Sequence, residues 1–110
     1  MAGITTIVAL FARRGHLTHE TFVDRYEQRH VPLIRELLPP FGRYRRTYAL
    51  DSAACERLCY DVVTEAWYAD AHDAVMRAMA DPAIAEAIAR DEDCFIDRAR
   101  STVFAAETRD

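Results

Sequence analysis

Residues 4–12 read ITTIVALFA, and both alternating sets of this stretch are apolar: Ile7, Ala9 and Phe11 on one, Val8 and Leu10 on the other. β-branched and aromatic side chains favour a strand, and residues two apart share a face, so this strand needs cover on both sides. The run is far shorter than the roughly 20 residues that cross a bilayer and has no basic segment ahead of it. It reads as a strand rather than an anchor or a leader, and the compartment expected is the cytoplasm.

Outward from this strand the chain divides simply. Thr18 has the side chain of an N-cap, and Leu17 can staple onto Phe22. The helix that follows carries Phe22, Tyr26, His30, Leu33 and Leu37 at spacings of four, four, three and four, one inward stripe, until Pro39-Pro40 and Gly42 end it. RYRRTYAL at 43–50 predicts a second strand with Tyr44, Tyr48 and Leu50 near one face, and Asp51 to Leu58 reads as a polar connection. YDVVTEAWYA at 60–69 is a third strand. Asp70 is positioned to cap the next helix, whose apolar face is Ala74, Val75, Ala78 and Met79, and Asp81-Pro82 restarts a short helix through Ala89. A loop carrying Asp91, Phe95 and Asp97 leads to the last strand, STVFAAE at 101–107.

The order is β-α-β-β-α-β, the split βαβ arrangement of ferredoxin-like folds. Helices can cover one face of such a four-stranded sheet, yet the first strand and the middle of the third are apolar on both. The economical cover for the second face is a second copy of the chain packed sheet to sheet, a homodimer.

Composition limits the partners. Apolar residues make up 51% and charged residues 29% of the 110, an ordinary globular balance that gives no sign of disorder. With a net charge of -4, no lysine and fourteen arginines scattered among acids, neither nucleic acid nor a membrane surface is expected as partner. Cys55, Cys59 and Cys94 form no CxxC pair and fit reduced thiols. His16-x-x-His19 has no third ligand nearby in sequence, so no metal site is expected. There is no G-x-G-x-x-G, P-loop or G-x-S-x-G, and no cofactor is expected.

Four stretches resemble one family in register over nearly the whole chain: VALFARRGHLTHETF, YEQRHVPLIREL with its H-x-P-L at His30 to Leu33, TEAWYAD at 64–70, and RDEDCFIDRARSTVFAAE at 90–107. They are similar to the EthD-type members of the dimeric α/β-barrel group. The resemblance implies a single α+β ferredoxin-like domain over residues 1–110 that forms a dimeric α/β barrel. It also implies a pocket between the helices and the sheet, with the H-x-P-L histidine pointing into it. The group hosts isomerases, polyketide cyclases, dehydratases, decarboxylases and cofactor-free oxygenases, so the fold does not choose a reaction.

His30 is the residue whose chemistry matters most. Imidazole takes and returns a proton near neutral pH without a metal or cofactor. Pro32 removes an amide and crowds the preceding turn, so a bend there, with Val31 pushed off helical angles, can aim His30 at a cavity rather than into packing. A histidine on an apolar face can equally be a satisfied core group. Tyr44 and Tyr48 share a strand face and can donate to a developing enolate, or simply pack. Asp91 matches an acidic position of the family pattern and can orient His30, or make a loop turn. Phe22, Tyr26, Trp67 and Phe95 are the candidate lining for a flat apolar ligand. Glu65, in the third strand, needs a partner if buried, and Arg43 or Arg45 on the neighbouring strand can supply it.

These residues point to a cofactor-independent enzyme. His30 would move a proton on a small, apolar, oxygenated substrate such as an aromatic polyketide intermediate or lactone, in an isomerisation, cyclisation, dehydration or decarboxylation. The alternatives are a cofactor-free monooxygenase, a haem-degrading member of the wider barrel group with His30 in the place of its axial histidine, and a dimeric carrier of a hydrophobic metabolite without catalysis.

Overall fold

The computed structural model describes residues 4–68 and 72–109; Asp70, expected as a helix cap, lies outside them. The elements run β1 (Ile4–Phe11), α1 (His19–Arg25), a π-turn (Tyr26–His30), α2 (Val31–Leu37), β2 (Arg43–Tyr48), α3 (Ser52–Leu58), β3 (Val62–Tyr68), α4 (His72–Met79), α5 (Pro82–Asp93), a 3₁₀ turn (Arg98–Arg100) and β4 (Thr102–Thr108). The four strands form one sheet in the order β2-β3-β1-β4 with every neighbouring pair antiparallel, the α+β ferredoxin-like fold. β1 sits inside, with Ile7 opposite Ala66 and Ala105, and Val8 opposite Glu65 and Phe104.

Strand alternation decides which side chains meet the helices. On β3, Val62, Thr64, Ala66 and Tyr68 are buried and the residues between them half-buried. On β1, Ala9 and Phe11 join the main core with Phe22, Tyr26, Val31, Val62, Phe95 and Ile96. Fully burying each large side chain contributes about 1.5–3 kcal/mol, so Phe22, Tyr26 and Phe95, all at 0% exposure, are the principal apolar ballast. Val8 and Leu10 face the other side, where Phe104 is 46% exposed.

The helix over residues 19–37 is not α-helical throughout, because a π-turn joins α1 to α2. Thr18 caps it through a hydrogen bond from the Thr21 amide, and the Val31 amide reaches back five residues to the Tyr26 carbonyl. Val31 itself keeps helical angles, φ -59° and ψ -48°, which corrects the expectation that Pro32 pushes it away from them. Pro32 takes an early position of α2, where a missing amide costs little, and the irregularity appears one turn earlier as the π-turn. The inserted residue also shifts the stripe: after Phe22, Tyr26 and His30, burial passes to Val31 and Ile34, while Leu33 and Leu37 are half-buried.

Two further expectations are corrected. Residues 51–58 form helix α3 rather than an irregular connection: Asp51 caps it by accepting from the Ala54 amide, and Cys55 becomes its buried contact. α5 runs to Asp93, beyond Ala89, so Asp91 stands in the last turn of a helix and not in a loop.

Candidate functional site

His30 ends the π-turn, and Asp91 occupies the last turn of α5. The two meet at 2.8 Å, from His30 Nδ1 to Asp91 Oδ2. Arg25 closes the group from α1, its Nη2 donating to Asp91 Oδ1 at 3.1 Å and its guanidinium lying 5.1 Å over the Phe95 ring. Burial pushes the Asp91 carboxyl up, but the His30 hydrogen bond and charge together with Arg25 outweigh it and hold it below the ordinary aspartate value. Asp91 is therefore a carboxylate that accepts, so Nδ1 carries the donated proton and Nε2 is the nitrogen left for other chemistry. Next to it, burial raises Glu92.

Aromatic rings enclose the imidazole. Tyr26 lies 4.6 Å from it between centroids, Phe95 5.7 Å and Phe11 6.3 Å, the last two edge to face. His30 is 3% exposed. Among the described residues, neither the cavity of about 590 Å³ beside Arg13, Cys55 and Arg100 nor that of about 360 Å³ beside Arg35, Phe41 and Tyr44 is lined by His30. The ring is packed among Tyr26, Phe95 and Phe11.

Of the expected site residues, Phe22, Tyr26, Phe95 and Asp91 gather round His30, with Phe22 tilted against Tyr26 and Phe95 at 5.7 and 5.3 Å. Tyr48 stands one ring away: it packs edge to face on Tyr26 at 5.8 Å, and its hydroxyl donates to Glu27. Arg46 grips the same carboxylate with two bonds, 2.8 and 2.6 Å. That grip, against the opposing effect of burial, holds Glu27 below the ordinary glutamate value; burial first and Glu27 second push the Tyr48 phenol well up. Tyr44 packs between Phe41 and the arginines Arg35 and Arg46, and burial raises its phenol to about 12. Trp67 does not line this region. It alternates with the buried positions of β3 and therefore faces the other side of the sheet, under the Arg43 guanidinium at 4.5 Å. Glu65 shares that side, opposite Arg45 in the β2–β3 register.

Sequence reading missed several partners. Tyr26 directs its hydroxyl to Thr64 Oγ1 at 2.6 Å, and nothing in the spacing marks Thr64 as that partner. It also missed a second polar cluster at the opposite end of α1. His19, 4% exposed, places Nδ1 2.8 Å from Asp61 Oδ1 and 3.1 Å from Cys55 Sγ, and Nε2 2.6 Å from the Ala49 carbonyl. Arg13 also binds Asp61, through its amide to Oδ2 at 2.8 Å and Nη1 to Oδ1 at 2.7 Å. Burial works against the Asp61 carboxylate, but the His19 and Arg13 hydrogen bonds keep its value low. Burial, then Asp61, raises the Cys55 thiol to about 11, which removes it as a nucleophile near neutral pH. Among the described residues, His19, Cys55 and Asp61 are the group whose ligand atoms converge closely enough to hold a metal ion.

Comparison with solved structures returns the same architecture. An ethyl tert-butyl ether D (EthD) family protein from Bacillus halodurans superposes with a TM-score of 0.68 at 20% identity, over 96% of this chain and 99% of that one. SnoaB, a cofactor-independent oxygenase from Streptomyces nogalater, gives 0.64 at 22% identity, over 99% and 96%. A dimeric ferredoxin-like protein of unknown function from Thermobifida fusca gives 0.60 at 19%, over 98% and 93%. At these identities the likeness establishes the fold. A search of curated proteins gives no match. The EthD domain model matches residues 14–99, which span α1 through α5 and hold both His30 and Asp91, and the chain belongs to the EthD domain family.

Proposed function

We propose that the protein is a cofactor-independent enzyme in which His30 and Asp91 move a proton on a small, largely apolar, oxygenated substrate such as an aromatic polyketide intermediate or a lactone. The observation that carries this reading is the 2.8 Å bond between His30 Nδ1 and Asp91 Oδ2. An ionised Asp91 fixes the tautomer, leaves the Nε2 lone pair as the base, and stabilises the imidazolium formed when that lone pair takes a proton beside a carbonyl. Isomerisation, cyclisation, dehydration and decarboxylation share this step. Phe22, Tyr26 and Phe95 would form the apolar wall, and Tyr44, or Tyr48 once released from Glu27, would donate to the developing oxyanion. With His30 3% exposed, substrate access would require the aromatic shell to part.

The open sheet face, with Val8, Leu10 and the 46%-exposed Phe104, supports a homodimer packed sheet to sheet. The dimeric ferredoxin-like protein from Thermobifida fusca supports the same assembly.

Two other readings each rest on a particular observation. The fold shared with a cofactor-independent oxygenase favours a version in which the carbanion made by His30 reacts with oxygen. The closed packing round His30 favours a carrier in which the dyad is structural. A panel of lactones, phenols and aromatic ketones, incubated in D₂O with wild-type protein and His30→Gln, separates the three. The proposal expects deuterium to enter beside the carbonyl with wild type and not with the variant. Oxygen uptake in step with turnover selects the oxygenase. Ligand binding without exchange or turnover selects the carrier.

A further inference from the structure

His19, Cys55 and Asp61 meet at one point rather than in a chain. Cys55 Sγ and Asp61 Oδ1 both face His19 Nδ1, at 3.1 and 2.8 Å, and lie 3.4 Å from each other. A Cys-His-Asp relay needs the thiol and the carboxylate on opposite ring nitrogens. Here Nε2 is spent on the Ala49 carbonyl at 2.6 Å, so the relay is excluded. A carbonyl has no proton to give, so Nε2 carries one. A neutral ring would then aim the Nδ1 lone pair at a carboxylate, and two acceptors 2.8 Å apart require positive charge between them. A proton meets that demand in the metal-free protein. A metal cation meets it equally, and an Nε2–H anchored on a backbone carbonyl is the outer-sphere support that metal-ligating histidines use.

We propose that His19 Nδ1, Cys55 Sγ and Asp61 Oδ1 form a binding site for one divalent transition-metal cation of the zinc type. The mixed nitrogen, sulfur and oxygen donors suit a borderline cation in tetrahedral coordination. Two of the three ligands, Cys55 and Asp61, also line the cleft of about 590 Å³ beside Arg13, Cys59 and Arg100, a route by which a cation can reach them. Bond lengths of roughly 2.0–2.3 Å put tetrahedral ligand atoms about 3.4–3.6 Å apart. The present separations of 2.8, 3.1 and 3.4 Å need to widen by a few tenths of an ångström, within the reach of side-chain rotation. Loading sends the Nδ1 proton and the thiol proton to solvent and leaves imidazole, thiolate and carboxylate on the cation. The three ligands come from the first turn of α1, from α3 and from the residue before β3, so the ion ties separate segments together. Arg13 Nη1 occupies the same Asp61 oxygen at 2.7 Å, so the cation competes with a guanidinium.

Cobalt(II) is the probe, added to the chain carrying Cys59→Ser and Cys94→Ser so that the buried Cys55 is the remaining thiol. The expected result is one saturable Co²⁺ per chain with thiolate-to-cobalt charge-transfer absorption, displaced by Zn²⁺. Cys55→Ser abolishes that absorption. His19→Gln weakens binding by more than the roughly 10–100-fold that loss of an outer-sphere partner costs. Arg13→Gln tightens it at least about fivefold, the effect of removing one unit charge some 4 Å away even when fully screened by water. A purely structural ion-pair network predicts no gain from Arg13→Gln. Absence of saturable uptake by the folded protein, or charge-transfer absorption that survives in Cys55→Ser, overturns the proposal. Circular dichroism establishes folding of each variant, and if Cys55→Ser does not fold, the Arg13→Gln affinity decides the matter alone.

Discussion

Asp91 Oδ2 lies 2.8 Å from His30 Nδ1, and the two residues are brought together by the ends of α5 and the π-turn, 61 positions apart in the chain. Two helix ends thus hold a carboxylate and an imidazole in fixed register. The pairing fixes which ring nitrogen is free, and that decides what His30 can do.

If His30 is the base, His30→Gln lowers kcat by about 10²–10⁴-fold, the usual contribution of general acid–base catalysis. Asp91→Asn, which keeps the shape and loses the charge that sets the tautomer, lowers it by a similar factor and alters the pH profile of kcat/KM. Steady-state rates on any substrate found in the deuterium-exchange panel give both numbers. Equal rates for wild type and His30→Gln would remove His30 from the chemistry.

Stability falls in acid. Asp61, Asp91 and Glu27 all titrate below their ordinary values in the folded protein, so the unfolded chain binds protons first as pH drops. Their stabilisation is present above the unfolded values of about 3.9 for aspartate and 4.3 for glutamate, and is lost as pH falls through the lower folded values. Glu92, raised by burial, works in the opposite sense: its ionisation costs stability as pH rises past about 4.3. Asp97, held low by Arg100, acts in the same sense as the first three, and the lowered groups outnumber the raised one, so a net loss is predicted below about pH 4. Thermal melts between neutral and strongly acidic pH measure it, and Asp91→Asn flattens part of the drop.

The Tyr26 hydroxyl and the Tyr26 ring contribute separately. Tyr26→Phe leaves Thr64 Oγ1 buried without its 2.6 Å partner and costs about 1–2 kcal/mol. Tyr26→Ala also removes the ring packed on His30, Phe22, Phe95 and Phe11 and costs about 3–5 kcal/mol. Urea midpoints with unchanged m-values are the measurement. A cost for Tyr26→Phe equal to that for Tyr26→Ala would contradict the division.

The chain is expected to be a dimer by light scattering. Phe104→Asp, a charge placed on the exposed apolar side of β4, shifts it toward monomer without unfolding it, since Phe104 is already 46% exposed in one chain. A wild-type monomer at all concentrations would contradict sheet-to-sheet assembly.

The fold was legible because it rests on periodicity. β1, apolar on both alternating sets, and the Phe22, Tyr26 and His30 stripe fixed the sheet and the helix on it, since side-chain direction follows backbone geometry with periods of 2 and 3.6. The Thr18 cap was legible too, because it acts on an amide three residues away. Less local features were not. The run at 51–58 looked polar because its helix buries a single residue, Cys55. Proline marked the irregular turn but not its form, a π-turn closed by the Val31 amide on the Tyr26 carbonyl.

The sequence by itself determined a β-α-β-β-α-β chain with an ionisable ring on its buried helix face. Only the tertiary structure decided what that ring meets. Hydrogen-bond partners such as His30 with Asp91, Tyr26 with Thr64, and His19 with Asp61 and Cys55 lie 61, 38, 42 and 36 residues apart, and no local periodicity encodes such distances. The same holds for Trp67, which the composition of β3 offered as lining and the parity of its position turned to the other face. Burial makes each pairing obligatory, because an unpaired polar group in the core costs more than the hydrogen bond returns.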